Sequence, residues 1–301
     1  PLFLFLIVAT FKGCWVSVMQ RPDIVFAGSG LTAPISYFSS LLCRAKSAVY
    51  VHGLDLTVES FLYRKMWYWV LRRLSLVIAN SHPTKKLAET CVGVLSSKIK
   101  VQYPGVEVAK VREDTSLCRE KIKSDFCERH RLQSGPILLS VGRLTDRKGL
   151  REFVSNVFPK ILEKFPAAQL VVIGDVPTDS LRASVQTQES IMQTARAVGV
   201  DASVFFLGKR FGEELIQAYS AADVHVFPVR HIDNDPEGFG MVAIEAAAQG
   251  LQTVAYATGG VVDAVEQNVS GLLVSASDTQ GFTSAVVQLL NKPLATPPIY
   301  Q

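Results

Sequence analysis

Short apolar runs punctuate this chain, and stretches of helical periodicity fill the spaces between them. Residues 23–27 (DIVFA), 48–51 (AVYV), 76–79 (LVIA) and 99–102 (IKVQ) read as strands. The same rhythm returns further on, with strands at 137–141, 170–173, 204–207, 224–228, 253–255 and 271–274. Apolar positions and strong helix formers predict helices over 33–42, 59–74, 84–91, 150–165, 181–198, 213–220, 241–249, 262–266 and 279–290. Strand, helix and strand in regular succession predict parallel sheets, and the fold class is α/β.

The rhythm lapses between residues 109 and 135, which are polar and charged with no apolar strand. This marks a connection between two units. The expected organisation is an incomplete N-terminal Rossmann-like domain over 1–110, a linker over 111–135, a C-terminal Rossmann-like ligand-binding domain over 136–293 and a tail over 294–301. The first ten residues, PLFLFLIVAT, are apolar, but Lys12 follows too soon for a membrane span. They also lack the basic leader of a signal peptide, so a buried element of the α/β domain is expected there. Over 59–74, the stripe Leu62, Met66, Trp69 and Val70 has the spacing to pack on a core.

Composition adds two constraints. The overall net charge is +4, yet residues 1–110 hold thirteen Lys/Arg against five Asp/Glu, and the remainder is slightly acidic. A basic, aromatic N-terminal part points to an anionic partner, either a membrane surface or an acidic acceptor. Nothing in the pattern points to nucleic acid. Five scattered cysteines, with no CxxC pair and no clustered Asp/Glu/His, argue for a reducing compartment and against a disulfide frame or a metal site.

The candidate chemistry centres on residues 235–250, DPEGFGMVAIEAAAQG. A loop of Glu237, Gly238, Phe239 and Gly240 feeds a helix N-terminus, where outward amides and the helix dipole favour an anion. Arg143 and Lys148, following Gly142 after the 137–141 strand, supply positive charge suited to a diphosphate. Carboxylates beside such a site, Glu237 and Glu245, make sense as acceptors for hydroxyls of the same ligand. Glu245 lies about 7 Å along the helix from its start, so the two can serve different sugars, one the ribose and one a second ring. His52, at the end of the 48–51 strand, is a further candidate, because parallel sheets bind ligands at the carboxyl ends of their strands.

These stretches resemble glycosyltransferase family 4, the retaining transferases of the GT-B fold. VGRLTDRKGL, VVIGD, FFLGKRFGEELIQAYSAADVHVFP, PEGFGMVAIEAAAQG and ATGGVVDAVEQNVSGLLV stand in the family's order. The resemblance implies two Rossmann-like domains facing a cleft. Glu237 would contact the donor sugar, Glu245 the ribose, and Arg143 and Lys148 the diphosphate. His52 would approach the donor sugar, and Arg210 would lie near the base. It implies a nucleotide diphosphate sugar as donor substrate, no metal or other cofactor, and hexose transfer to a glycan or lipid-linked acceptor in cell-envelope polysaccharide or lipopolysaccharide synthesis. The protein would be cytoplasmic, with peripheral contact at the cytoplasmic face of the membrane. The family's opening strand, Gly-rich loop and helix, and its closing crossover helix, are expected to have no counterpart here. Two other readings use the same residues: a nucleotide-sugar epimerase of this architecture, and a catalytically incomplete nucleotide-sugar-binding protein. A nicotinamide dehydrogenase is disfavoured, since no strand is followed by GxGxxG.

Overall fold

The computed structural model describes residues 2–107, 116–177 and 184–292. By internal contacts the chain divides into two units, residues 1–104 with 233–239, and residues 105–232 with 240–301.

In the first unit, α1 (Leu2–Gln20), β1 (Ile24–Ala27), α2 (Ala33–Cys43), β2 (Lys46–Val51), α3 (Phe61–Leu71), β3 (Leu76–Ala79), α4 (His82–Leu87) and β4 (Ile99–Val101) follow in order. The strands form one parallel sheet in the order β1-β2-β3-β4. Val49, Val51, Val77 and Ala79 from the two middle strands are buried under Leu56, Leu71 and Leu74.

Two expectations are corrected here. The apolar N-terminus is not a buried element. It is the helix α1, and Leu4, Phe5, Val8, Phe11 and Trp15 are exposed on it. The helix packs on α2 through its small residues instead. Ser17 is buried, Gly13 lies so close to Ile35 and Ser39 that an added Cβ would sit 3.0 Å from each, and Ser39 Oγ donates to Cys14 Sγ at 3.7 Å. Among the described residues no helix is long and apolar enough to cross a membrane. In α3, Leu62, Met66 and Trp69 of the expected core stripe are exposed, and the buried side carries Tyr68, Val70 and Leu71. The aromatic rings decide this orientation, because each anchors a polar tip. Tyr63 donates to the Asp55 carbonyl, Trp67 Nε1 to that of Leu31 and Tyr68 to that of Leu56, at 2.6–3.0 Å.

The second unit opens with α5 (Ser116–His130) and β5 (Ile137–Val141), then α6 (Leu150–Asn156), α7 (Phe158–Leu162), β6 (Gln169–Ile173), α8 (Gln188–Ala197), β7 (Val204–Gly208) and α9 (Glu213–Ala221). It continues with β8 (Val224–Phe227), α10 (Met241–Ala248), β9 (Thr253–Tyr256), α11 (Val261–Ala264), β10 (Gly271–Val274) and α12 (Thr279–Asn291). Within the stretch expected to link the domains, α5 packs on α9: Phe126 is buried, Arg119 donates to the Ala222 carbonyl and Lys123 pairs with Asp223 at 2.6 Å. The single helix expected over 150–165 is two, α6 and α7. Pro159 has no N–H to donate and its ring opposes the preceding turn. The helix expected from 181 starts only at Gln188, where the Thr187 hydroxyl caps it by accepting from Ser190 N at 3.1 Å. Residues 181–183 of that expectation, and the tail 294–301, lie outside the described residues.

The six strands are parallel, in the order β10-β9-β8-β5-β6-β7. The chain winds outward from β5 through β6 and β7, then returns to the middle and winds the other way from β8. The strand order therefore reverses between β5 and β8, and such a switch point opens a crevice at the strands' carboxyl ends. Leu138, Leu170, Val224, Val226 and Val254 fill one face of the sheet under Phe153, Phe158 and Phe282. Each fully buried side chain of this size contributes about 1.5–3 kcal/mol, which makes the sheet a rigid platform for its loops.

Candidate functional site

At the switch point of the second unit, the loop after β5 and the start of α10 after β8 are assembled on one buried ring. Phe227, the last residue of β8, is 2% exposed. The Lys148 ammonium lies 4.6 Å from the centre of that ring, a cation–π seat for the charge. The Lys148 stem passes over Gly142, where an added Cβ would stand 3.6 Å from its Cε. Gly142 has φ +148°, so the chain leaves β5 in a conformation open to glycine. The edge of the Phe227 ring touches Gly240, where an added Cβ would sit 3.0 Å from Cε1. Gly240 also has φ +105° and stands at the N-cap of α10. Gly142, Lys148 and Gly240 thus come together, with fixed positive charge beside the N-terminus of a helix. Arg143 is exposed on the same loop.

Glu245, half-buried on α10, has a partner the periodicity did not foreshadow: Tyr219 on α9 donates to its Oε2 at 3.0 Å. Arg210 stands apart, after the edge strand β7. Its Nε pairs with Glu214 at 3.5 Å and its Nη1 donates to the Lys209 carbonyl. Beneath Phe227 lies His225, fully buried, its ring stacked on Phe227 at 5.8 Å and its Nδ1 3.0 Å from Thr253 Oγ1. Burial first, and the Lys148 charge second, push its pKa down to about 3, so this imidazole is neutral.

The first unit holds the other candidates. His52 follows β2. Its backbone amide donates to Asp55 Oδ1 at 3.0 Å, and its Nε2 is 2.9 Å from the Gly28 carbonyl. A carbonyl only accepts, so Nε2 carries a hydrogen and donates it. The other Asp55 oxygen accepts from Gly30 N at 2.8 Å, so the turn after β1 is filled by a carboxylate of the chain itself. Residues 233–239, which carry Glu237, Gly238 and Phe239, belong to this unit by their contacts. Ser81 donates to the Gly238 carbonyl at 2.7 Å, Thr57 to that of Asn234 at 3.0 Å, and Phe239 lies 5.5 Å from the Tyr103 ring. The approach of Gly238 to His52 leaves no room for a side chain, since an added Cβ would collide with the His52 carbonyl. His52 and the Glu237 loop are thereby brought together. The loop expected to act as one piece is divided, with Gly238 and Phe239 in the first unit and Gly240 in the second.

Residues 135–292 match the family model for glycosyl transferases group 1, and residues 3–110 match that for glycosyltransferase family 4. The chain belongs to the family 4 glycosyltransferases. Among relatives of this chain, an uncharacterized glycosyltransferase of Methanocaldococcus jannaschii is 30% identical over 281 residues, 91% of this chain and 67% of that protein. The GDP-mannose-dependent alpha-(1-6)-phosphatidylinositol monomannoside mannosyltransferase of Mycobacterium tuberculosis is 30% identical over 189 residues, 62% of this chain and 45% of that protein. The chain therefore spans under half the length of the first curated relatives it matches. Its fold is GT-B. A crystal structure of Anabaena HepE in complex with UDP superposes with a TM-score of 0.77 at 20% identity, covering 96% of this chain and 74% of that one. Sucrose-phosphate synthase of Thermosynechococcus elongatus gives 0.71 at 22% identity, covering 96% and 69%.

Tyr219, His225, Phe227, Asp55 and Ser81 were not foreseen as parts of these sites. Their partners lie 26, 28, 25 and 157 residues away in the hydrogen bonds of Tyr219, His225, Asp55 and Ser81. Local spacing holds no signal for pairs so far apart.

Proposed function

We propose that this protein transfers a hexose from a nucleotide diphosphate sugar to a glycan or lipid-linked acceptor, keeping the anomeric configuration, in cell-envelope polysaccharide or lipopolysaccharide synthesis. The observation that carries the proposal is the seating of Gly142, Lys148 and the N-terminus of α10 around Phe227, at the switch point of a sheet whose family consists of glycosyltransferases. The donor's diphosphate would take this place. Its negative charge grows as the sugar departs. Arg143, Lys148 and the α10 amides are preorganised to stabilise that charge, with no metal cofactor called upon. Glu245 would hold the ribose, Glu237 and His52 the donor sugar, and Arg210 the base region. In front-face attack the acceptor oxygen bonds to the anomeric carbon as the bond from that carbon to the phosphate oxygen breaks. The acceptor's proton passes to the departing phosphate oxygen.

The lipid substrate in the mycobacterial relative's name supports a lipid-linked acceptor. The basic, aromatic N-terminal unit supports a place at the cytoplasmic face of a membrane. The test is sugar transfer from GDP-mannose and UDP-glucose by the wild type and by Arg143→Ala and Glu245→Ala. The proposal expects donor binding and turnover to fall in both variants. Unchanged kinetics in both would refute the site.

A further inference from the structure

We infer that Tyr219 is a positioning residue for the donor site: its phenol O–H fixes the Glu245 carboxylate in the orientation that receives the ribose hydroxyls. The inference rests on the reading of Glu245 as the ribose ligand.

Tyr219 is 2% exposed, and its O–H reaches Glu245 Oε2 at 3.0 Å. A second acceptor on the same helix, the Val242 carbonyl, lies at 3.4 Å. A phenol has one hydrogen, and the charged, nearer oxygen takes it. Burial, and then the neighbouring Glu245 charge, raise the phenol's pKa far above its ordinary value, so Tyr219 remains a donor across the working pH range. The bond occupies one carboxylate oxygen. Oε1 and the remaining lone pairs stay available to hydroxyls, and the carboxylate no longer turns freely about its last torsion. Its orientation is set on folding, so binding need not order it.

The ring that carries the hydroxyl is itself fixed. It meets His225 edge to face at 6.0 Å, and His225 stacks on Phe227, which carries Lys148 on its face. Glu245 and Lys148, the groups assigned to the ribose and the diphosphate, therefore lean on one buried row of three rings. Nothing in the helical pattern of α9 requires a tyrosine at 219, where a phenylalanine would fill the same space. The hydroxyl's use is to reach the carboxylate.

The test is Tyr219→Phe, which keeps the ring and removes the hydroxyl. The probes are UDP, GDP and inorganic pyrophosphate, titrated calorimetrically into the 301-residue chain, with Glu245→Gln and the double variant alongside. Circular dichroism checks that each variant folds. Tyr219→Phe should weaken the tighter-binding nucleotide by roughly tenfold and leave pyrophosphate within about twofold. Glu245→Gln should do the same, and the double variant should be no weaker than Glu245→Gln alone. Wild-type nucleotide affinity in Tyr219→Phe, with Glu245→Gln impaired, would overturn the positioning role and leave the site standing. Wild-type affinity in Glu245→Gln would overturn the ribose assignment and the positioning role with it. Equal losses for nucleotide and pyrophosphate in Tyr219→Phe, or additive losses in the double variant, would show a general packing defect and overturn the positioning role.

Discussion

His225 makes the second unit sensitive to acid in a way that can be isolated. Its side chain is fully buried on β8, with Nδ1 against Thr253 Oγ1 and Nε2 without a hydrogen-bond partner among the described residues. Its pKa in the folded protein is depressed to about 3, by burial first and by the Lys148 charge second. An unfolded chain protonates the same imidazole near its ordinary value of about 6.5. Between these two values the unfolded state binds one more proton than the folded state, so stability falls as pH falls. Each unit in that window costs about 1.4 kcal/mol, which gives a loss of about 2 kcal/mol from pH 7 to pH 5 and about 3 kcal/mol by pH 4. The variant His225→Leu with Thr253→Val removes the imidazole without orphaning the threonine hydroxyl. Urea unfolding should be followed by far-UV circular dichroism, because the three tryptophans, Trp15, Trp67 and Trp69, all lie in the first unit. The double variant should lose about 2 kcal/mol less than the wild type between pH 7 and pH 5. Parallel pH profiles for the two proteins would refute a neutral, buried His225.

Gly240→Ala should weaken nucleoside diphosphate binding about tenfold and cost about 1–3 kcal/mol, since a Cβ there presses on Phe227 in a left-handed backbone; calorimetry and urea unfolding check both. Gly238→Ala should destabilise the first unit by a similar amount, about 1–3 kcal/mol, read by tryptophan fluorescence, because its Cβ meets the His52 carbonyl. Asp223→Ala should cost about 2–4 kcal/mol in urea unfolding, as it strips a charged acceptor from Ile137 N and Lys123 Nζ, each at 2.6 Å; Lys123→Ala should cost less.

Much of the fold was legible in the chain because its strands are buried on both faces. Runs such as ILLSV and QLVVI admit few other readings, and Gly250, expected to stop α10, does so with φ +72°. Three features departed from the expected pattern, two because tertiary contacts overrode it and one because a local helix breaker outweighed the amphipathic spacing. The face of α3 is set by three hydrogen bonds from ring tips to carbonyls of distant loops. The large apolar residues of α1 are exposed because small ones make the closer packing on α2. The break between α6 and α7 comes from a single proline inside an otherwise amphipathic stretch. At the sites, the charged and glycine positions could be read from spacing. Tyr219 and His225 could not, since each is an ordinary core residue until its partner across the fold is known.

The central claim is that the β5–β8 switch point holds a nucleotide sugar's diphosphate. It is tested most directly by titrating UDP and GDP into the wild-type chain and into Lys148→Met, which keeps the stem over Phe227 and removes the charge. The account predicts saturable binding of at least one nucleotide by the wild type, weakened about tenfold or more in Lys148→Met. Binding of neither nucleotide, or equal affinity in both proteins, would contradict it.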